Sequence, residues 1–483
     1  MATLLVTNAT IVTIDPERRV LHDAAIAADG DRIVAIGPTE ELIARYPDAE
    51  VIDGRGTVAM PGLVDVHAHA GHGLIKTMAS GDSAAWYDAC RVAYTTASTP
   101  DFWRAEAQLA ALERTRFGVT TGVSLLGGGD SIMRTDDPVY CDAHMDGVRE
   151  VGTRSVVAIG STRPPHPLTY ASWDGDEATE YPVDFDRQLA TCETLIDRWH
   201  GTENRRLNVA LLTPTLRAEH VETLGKVELK RACEQARIMS DMARQAGLVF
   251  TQDGHRRGSV AFADEIGILG PHVLLSHSID LTDEEIAICA RTDTKIAHNP
   301  SAIASVMGRC PATELMAAGV TVGLGSDATA PDRSADMFRH MQQAMHYHRR
   351  HFRDPSWLPP GKVLEMCTID GARALGMDDD IGSLEVGKKA DIVLIDMRRP
   401  HLYPANMHVS HVVNFANGND VRDVICDGRV LMRGRDVVTV NEDAVLDTAQ
   451  RETDLMLDRG GLRWQLETPN TFWGALQMNA ETG

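Results

Sequence analysis

The sequence predicts an α/β fold: a (β/α)8 TIM barrel joined to a small β-sandwich that both ends of the chain build. Eight short apolar segments recur through the middle of the chain, and helical stretches lie between most of them. Such alternation produces a parallel sheet, and eight repeats indicate a barrel. Short β-rich segments broken by Asn, Asp and Gly lie near both ends of the chain and indicate the second unit.

The barrel strands are predicted one by one from the apolar segments. In chain order they are GLVDVHAH, TTGVSLL, RSVVAIGS, LNVALLTPT, LVFTQDGH, HVLLSHS, KIAHNP and VTVGLGSD. The helical patterns between them include TPDFWRAEAQLAALERTRFG and KVELKRACEQARIMSDMARQAG. Because helices follow most of these strands, we expect the strands to run parallel to one another.

The second unit is predicted from two separate β-rich regions. The first contains LLVTNATIVTID, AAIAADGDRIVAIG and AEVIDGRGTVAMPG, and the second contains GSLEVGKKADIVLID and HVVNFANGNDVRDVICDGRVLMRG. DG pairs between the β-rich runs are typical of hairpin turns. We therefore divide the 483 residues into a composite β-sandwich domain (1–60 plus 376–440), a barrel (61–375) and a C-terminal helical extension (441–483).

Net charge and cysteine spacing indicate which partners the protein binds and in which cellular compartment it works. The net charge is −22, from 69 acidic and 47 basic residues, which disfavours nucleic acid and anionic membranes as partners. The eight cysteines are scattered without a CxxC pair, which indicates reduced thiols and a cytoplasmic protein. We expect no signal peptide and no membrane span, because no long apolar run is present. The expected partner is a small-molecule substrate.

Side chains that suit metal chemistry stand at the ends of several predicted strands. His67 and His69 end the first strand two positions apart, so both project from one face. His277, His298 and Asp327 end the sixth, seventh and eighth strands. Because the C-terminal ends of barrel strands meet at one mouth, these residues are expected to meet there and to form a divalent-metal site.

These motifs resemble those of the amidohydrolase superfamily, in the branch with cytosine deaminase, guanine deaminase and the triazine hydrolases. The resemblance covers nearly the whole chain. The matching segments are PGLVDVHAH on the first strand, LLSHSIDLTDEEI on the sixth, IAHNPSA on the seventh, VGLGSDATAPDRSADMF on the eighth, and IDGARALGMDDDIGSLEVGKKADIVLID on the way back to the sandwich.

The resemblance implies one divalent transition metal per chain, foremost Zn²⁺, with Fe²⁺, Co²⁺ or Mn²⁺ as alternatives. His67, His69, a residue of strand five and Asp327 are expected to hold it, with His277 beside it to position water or substrate. Asp327 is expected to carry a proton from the attacking water to the departing nitrogen. Strand four, LNVALLTPT, lacks the lysine that bridges two metals in binuclear relatives, which indicates a single metal.

Strand five departs from the pattern of this branch, which has a histidine and, three residues later, a glutamate. Here Gln252 stands at the position of the histidine and His255 at that of the glutamate. Gln252 is one candidate metal ligand through its amide oxygen, and His255 is another. The third alternative is that the position contributes no ligand and the metal site is weakened or lost.

The missing glutamate bears on the substrate. In deaminases of aromatic amidines, a glutamate at this position protonates a ring nitrogen, so its absence favours amides, ureas or carbamates as substrates. Such substrates resemble those of the phenylurea and thiocarbamate hydrolases. One alternative is an aminohydrolase of an N-heterocycle with His255 as the proton donor. The other is a non-catalytic scaffold of the same fold.

Further residues near the predicted mouth are candidate substrate contacts. They are His72 after the first strand, Trp86 in the following loop and helix, and His298 at the end of the seventh strand. The resemblance also implies a homodimer or a higher homo-oligomer.

Overall fold

The structure, a computed structural model, describes residues 2–79, 83–129, 132–302, 304, 307–327, 329–468 and 472–473. Its strands are β1 (Leu4–Val12), β2 (Val20–Asp29), β3 (Arg32–Pro38), β4 (Glu50–Asp53), β5 (Thr57–Pro61), β6 (Leu63–Asp65), β7 (Val119–Leu125), β8 (Gly127–Gly129), β9 (Ile132–Met133), β10 (Arg154–Gly160), β11 (Leu168–Asp174), β12 (Glu177–Val183), β13 (Leu207–Leu212), β14 (Phe250–Gln252), β15 (Val273–Ser276), β16 (Lys295–His298), β17 (Val322–Leu324), β18 (Ile392–Asp396), β19 (Val421–Cys426), β20 (Arg429–Arg433) and β21 (Asp436–Val437). Its α-helices are α1 (Thr39–Arg45), α2 (Ser83–Val92), α3 (Pro100–Arg116), α4 (Pro138–Val151), α5 (Phe185–Trp199), α6 (Thr202–Arg205), α7 (His220–Ala246), α8 (Ser259–Glu265), α9 (Asp283–Thr292), α10 (Ala312–Ala317), α11 (Met337–Phe352), α12 (Pro360–Met366), α13 (Ile369–Ala374), α14 (His408–Phe415) and α15 (Glu442–Gly460).

Eight parallel strands form the barrel, in the order β6, β7, β10, β13, β14, β15, β16 and β17. It closes between its first and last strands, where the Val66 amide donates to the Leu324 carbonyl at 3.1 Å and the Asp327 amide to the His67 carbonyl at 2.8 Å. Each of the eight strands lies within or overlaps a predicted segment, so the predicted (β/α)8 barrel is confirmed. The strands are almost wholly buried, as expected for a parallel sheet covered by helices.

A nine-stranded sheet unites the two ends of the chain. Strands β1 to β5 belong to its N-terminal part and β18 to β21 to its C-terminal part, and β18 pairs antiparallel with β5. Asp427 and Gly428 form the tight turn between β19 and β20 with φ angles of 53° and 74°, which the predicted DG turn requires. The proposed domain boundaries stay predictions.

Buried ion pairs join this sheet to the barrel. The Arg154 guanidinium, on β10, hydrogen-bonds to the Asp391 carboxylate and lies 3.6 Å from that of Asp427. Lys389 reaches the same Asp427 carboxylate at 2.7 Å. Arg154 is the first residue of β10, so this junction lies at the end of the barrel opposite the predicted site.

No helix among the described residues combines the length and apolar character needed to cross a membrane. All eight cysteines are buried and free, as the absence of paired spacing predicts.

Candidate metal centre

His67 and His69 lie on the extended stretch that continues β6 at the barrel mouth, and both are buried. Hydrogen bonds to the neighbouring strands hold this stretch in place, since the His69 amide donates to the Asp327 carbonyl at 3.1 Å. His69 Nδ1 lies 2.9 Å from the Gly127 carbonyl, to which it donates in the tautomer that leaves Nε2 free. The Nε2 atom of His69 therefore faces the centre of the mouth.

Asp327 follows β17 and reaches both histidines. Its Oδ1 atom lies 3.1 Å from His69 Nε2 and 3.4 Å from His67 Nε2. The backbone at Asp327 is left-handed, with a φ of 65°, which is uncommon for a residue with a side chain and typical of functional sites. Gly325 allows the close approach of strands, because a Cβ there would lie 2.9 Å from that of His67.

Asp65 organises this corner of the site, although sequence analysis did not single it out. Its carboxylate accepts hydrogen bonds from the amide of Ser326 at 2.9 Å and from the Ser326 hydroxyl at 2.6 Å. Ser326 precedes Asp327, so Asp65 ties the strand that carries His67 to the strand that carries the catalytic candidate. Side chains two positions apart on a strand share one face, so Asp65 lies on the same face as His67. This spacing is the sequence feature by which Asp65 could have been identified.

His277 follows β15 and also has a left-handed backbone, with a φ of 64°. Its Nε2 atom lies 2.9 Å from Asp253 Oδ1 and 3.9 Å from Asp327 Oδ1. His277 therefore borders the cluster, as the sequence predicts, and it contacts a carboxylate that the sequence analysis did not identify.

Strand five brings Asp253 to the cluster in place of the two predicted candidates. Asp253 Oδ1 lies 3.4 Å from His67 Nε2, and its Oδ2 lies 3.5 Å from His69 Nε2. The Gln252 amide instead donates to the Thr213 hydroxyl at 3.1 Å and to the Pro214 carbonyl at 3.0 Å. Its side chain thus points to the end of β13, and Asp253 takes the place beside the histidines that we had expected for Gln252 or His255. A role of Gln252 as a metal ligand stays a prediction.

His255 also lies outside the cluster. Its Nδ1 atom is 2.8 Å from the Ser259 hydroxyl, and its Nε2 atom is 3.2 Å from Gln252 Oε1. Burial lowers the pKa of His255 to about 3, so its imidazole is neutral at physiological pH. With both nitrogens engaged and no charge, His255 supports the strand-five loop in this arrangement, and its role as a proton donor stays a prediction.

The cluster fits a divalent metal ion. Ligand atoms of His67, His69, Asp253 and Asp327 all lie within 4.8 Å of one another. Neither ring nitrogen of the buried His67 makes a hydrogen bond within the described part of the chain. Buried polar atoms rarely lack partners, and two imidazoles with two carboxylates form a suitable donor set for a divalent transition metal.

The pKa values of the cluster residues show that its carboxylates are ionised and need positive charge nearby. Burial would raise the pKa of Asp253 and Asp327, but the adjacent histidines hold both pKa values well below the usual range. Burial would lower the pKa of His67, but the two carboxylates raise it to about 10. Two ionised carboxylates in a buried pocket require nearby positive charge, which protonated His67 supplies here and which a metal ion held by neutral imidazoles would supply in its place.

The predicted substrate contacts lie around this centre. The His72 ring stacks on that of His69 at 4.7 Å, its Nδ1 atom lies 2.8 Å from the Tyr94 hydroxyl, and Trp86 packs edge-on against it at 5.3 Å. His298 is fully buried, and its ring lies 5.3 Å from that of His348 on α11. His72 and Trp86 thus adjoin the cluster, whereas their contact with substrate stays a prediction.

The barrel with its mouth of imidazoles and carboxylates defines a metal-dependent hydrolase, and comparison with known sequences agrees. Residues 58–431 match the Amidohydrolase family, and residues 24–49 match the bacterial imidazolonepropionase-like composite domain. The chain therefore belongs to the amidohydrolase family, and it is a hydrolase of carbon–nitrogen bonds other than peptide bonds.

Two curated relatives align over nearly the full chain. A 5-methylthioadenosine/S-adenosylhomocysteine deaminase of Syntrophobacter fumaroxidans is 29% identical over 459 residues, which are 92% of this chain and 96% of the relative. A 5′-deoxyadenosine deaminase of Methanosarcina mazei is 28% identical over 462 residues, which are 95% of this chain and 99% of the relative. These relatives favour the aminohydrolase alternative over the phenylurea and thiocarbamate hydrolases.

Solved structures share the fold. A zinc-bound adenosine deaminase of Xanthomonas campestris has a TM-score of 0.80 at 22% identity and covers 95% of this chain and 99% of its own. A zinc complex of atrazine chlorohydrolase from Arthrobacter aurescens has a TM-score of 0.79 at 23% identity, with 93% and 100% covered. At this identity they establish the barrel architecture.

Proposed function

We propose that the protein is a metal-dependent aminohydrolase that removes an amino group from a small N-heterocycle. The observation that carries the proposal is the full-length similarity to adenosine-type deaminases, together with the cluster of His67, His69, Asp253 and Asp327. Adenine nucleosides are the first substrates to test. Zn²⁺ is the first metal to test, since both neighbouring structures contain zinc.

Asp327 is the proposed proton carrier. His277, His67 and His69 hold its pKa low against the effect of burial, so its carboxylate is ionised at neutral pH. An ionised carboxylate accepts a proton from the attacking water and returns it to the departing nitrogen, acting first as base and then as acid. A bound metal would supply the Lewis acidity that activates water at neutral pH.

His277 is the proposed stabiliser of charge on the substrate. Its Nε2 atom lies 2.9 Å from Asp253 Oδ1 and faces the same space as Asp327. A donor fixed in this position stabilises negative charge that develops on the oxygen during attack.

A second candidate function is hydrolysis of an amide, urea or carbamate. The observation that favours it is the placement of His255, whose two nitrogens contact Ser259 and Gln252 and whose pKa is lowered to about 3 by burial. Strand five thus offers no charged donor at this position to protonate a ring nitrogen. Substrates that require no ring protonation suit such a site.

Product analysis separates the two functions. Metal-loaded protein is incubated with adenosine, 5′-deoxyadenosine and 5′-methylthioadenosine, and in parallel with a phenylurea and a carbamate. Ammonia release from a nucleoside is the expected result. Release of an organic amine from the urea or carbamate, without ammonia from any nucleoside, would replace the proposal with the second candidate.

Asp327→Asn tests the assignment of the proton carrier. We expect it to reduce turnover about 10³-fold in excess metal, because acid–base catalysis typically contributes 10²- to 10⁴-fold. The matched control is Asp458→Asn, which changes an exposed aspartate on α15 and should retain activity. Near-normal turnover of Asp327→Asn would reject the proposed mechanism.

A further inference from the structure

A basic cavity of about 370 Å³ lies beside the strand-five loop. Arg217, Arg256 and Arg257 line it together with His255. Arg217 follows β13 and the other two arginines follow β14, so they lie at the same end of the barrel as the metal cluster. In barrels of this kind, loops at this end bind the substrate.

Two of these arginines share one carboxylate. Arg217 Nε lies 2.7 Å and Arg256 Nη2 lies 2.8 Å from the same oxygen, Glu219 Oε1. Arg257 and Asp280 also line the cavity, whereas Glu219 does not, so the lining holds three guanidinium groups and one carboxylate. The cavity is therefore positively charged, although the whole chain carries a net charge of −22.

The lining of the cavity suits an organic anion. Guanidinium groups bind carboxylate and phosphate through paired, charge-assisted hydrogen bonds. Ile279 and Met307 add apolar surface to the same cavity. A positive concavity on an acidic protein also concentrates anions from solution.

The loop that carries Arg217 is tied to the metal cluster. The Thr215 hydroxyl donates to the carbonyl of Asp253 at 2.6 Å, and Arg217 lies two residues further along. On the other side, Gly254 and His255 connect Asp253 to the cavity lining. A ligand held by Arg217 is thus anchored to the same backbone that positions Asp253.

We propose that this cavity binds a carboxylate or phosphate group of the substrate, so that the hydrolysed molecule is an organic anion. Glu219 pairs with Arg217 and Arg256 from outside the cavity lining, so it competes with a bound anion for both guanidinium groups. This anion subsite rests on the proposed aminohydrolase function in one respect, because it takes the bound anion to be part of the molecule that is hydrolysed.

Binding measurements test the subsite without requiring turnover. Calorimetric titration of the metal-loaded protein with inorganic phosphate and with benzoate compares the two anion chemistries. We expect the double variant Arg217→Ala/Arg256→Ala to bind the preferred probe about tenfold more weakly, and Glu219→Gln to bind it more tightly. Arg231→Ala is the matched control, because Arg231 pairs with Glu228 on α7 outside the cavity.

The outcomes are distinct. Equal affinity of the wild type and the double variant, or an equal loss in the control, would overturn the subsite. Thermal midpoints show whether each variant is folded, and Arg256→Gln alone repeats the test if the double variant unfolds. Ammonia release from neutral and from carboxylated aminoheterocycles is measured separately. Turnover that does not depend on Arg217 rejects the anion subsite alone. Arginine-dependent binding without ammonia release from either class of substrate rejects the aminohydrolase activity alone.

Discussion

Asp253 and Gln252 are neighbours in sequence but have different roles in the site. Successive side chains of a strand point in opposite directions, so a shift of one residue exchanges the side chain that faces the mouth. The Gln252 amide hydrogen-bonds to Thr213, Pro214 and His255, whereas Asp253 faces His67 and His69. We therefore propose Asp253 as the strand-five ligand of a bound metal.

Asp253→Asn should reduce the bound metal, because the variant keeps the shape of the side chain and removes the charge that attracts the cation. Gln252→Ala is the matched control, and we expect it to retain about one metal per chain despite the loss of its hydrogen bonds. Elemental analysis after dialysis measures both. Loss of metal in Gln252→Ala with full occupancy in Asp253→Asn would return the role to Gln252.

Glu106 is a buried carboxyl group beneath the loop that follows His67 and His69. Its Oε1 atom accepts a hydrogen bond from the Gly73 amide at 3.4 Å, and its Oε2 atom has no hydrogen-bond partner in the described residues. Burial raises the pKa of Glu106 from 4.5 to about 7. The stability it contributes is therefore fully present below pH 4.5 and is lost as the pH rises through 7.

Glu106→Gln should remove this pH dependence, because the amide keeps the acceptor without the ionisation. Relative to the variant, the wild type should lose about 3 kcal/mol of folding free energy between pH 4.5 and pH 8. Denaturant unfolding of both proteins at several pH values measures the difference. Parallel stability profiles would show that Glu106 titrates at its ordinary pKa when folded.

At the scale of elements, helix α15 packs at the mouth end of the barrel. The Thr453 hydroxyl donates to the Leu74 carbonyl at 3.1 Å, within the loop after His72, and Met456 and Leu457 are buried. Helix α15 therefore supports this loop through its apolar face.

Two adjacent methionine and leucine positions on α15 test this packing. Met456→Ala should destabilise the protein by about 3 kcal/mol, because it leaves a cavity at a fully buried site. Leu455 is 38% exposed, so Leu455→Ala should cost less than about 0.5 kcal/mol. Thermal unfolding compares the two, and equal effects would mean that α15 is not packed through this face.

At the scale of the whole molecule, buried charges hold the nine-stranded sheet against the barrel. Arg154 of the barrel meets Asp391 and Asp427 of the sheet, all of them almost fully buried. Removing one partner from such a group leaves uncompensated charge in a low-dielectric environment.

Arg154→Ala should therefore destabilise the protein by about 3 to 5 kcal/mol. Arg104→Ala is the control, because Arg104 forms a comparable pair with Glu150 that is exposed to solvent and should contribute less than about 1 kcal/mol. Denaturant unfolding distinguishes the two variants. A small effect of Arg154→Ala would indicate that water or rearrangement compensates the two carboxylates.

Much of the fold could be predicted from local patterns. The barrel strands are continuous apolar segments because helices cover their outer face and side chains from the other strands fill the barrel interior. The first and last of these strands carry His67, His69 and Asp327 at their ends. The union of the chain ends was indicated by matching β-rich patterns. The candidate residues of strands one, six, seven and eight were predicted to lie at the mouth because the C-terminal ends of barrel strands converge there. This rule did not identify which residue of strand five faces the mouth.

The sequence by itself determined the barrel, because that depends on the repeated alternation of strands and helices. It also determined the histidine pair and the aspartate that follows the eighth strand, because these depend on where an apolar segment ends. Only the tertiary structure decided that Asp253 and not Gln252 faces this group, that Asp65 holds Ser326, and that Ser259 and Gln252 engage His255. These roles depend on contacts between strands that are distant in sequence and on side-chain direction at strand ends, where the chain leaves regular alternation.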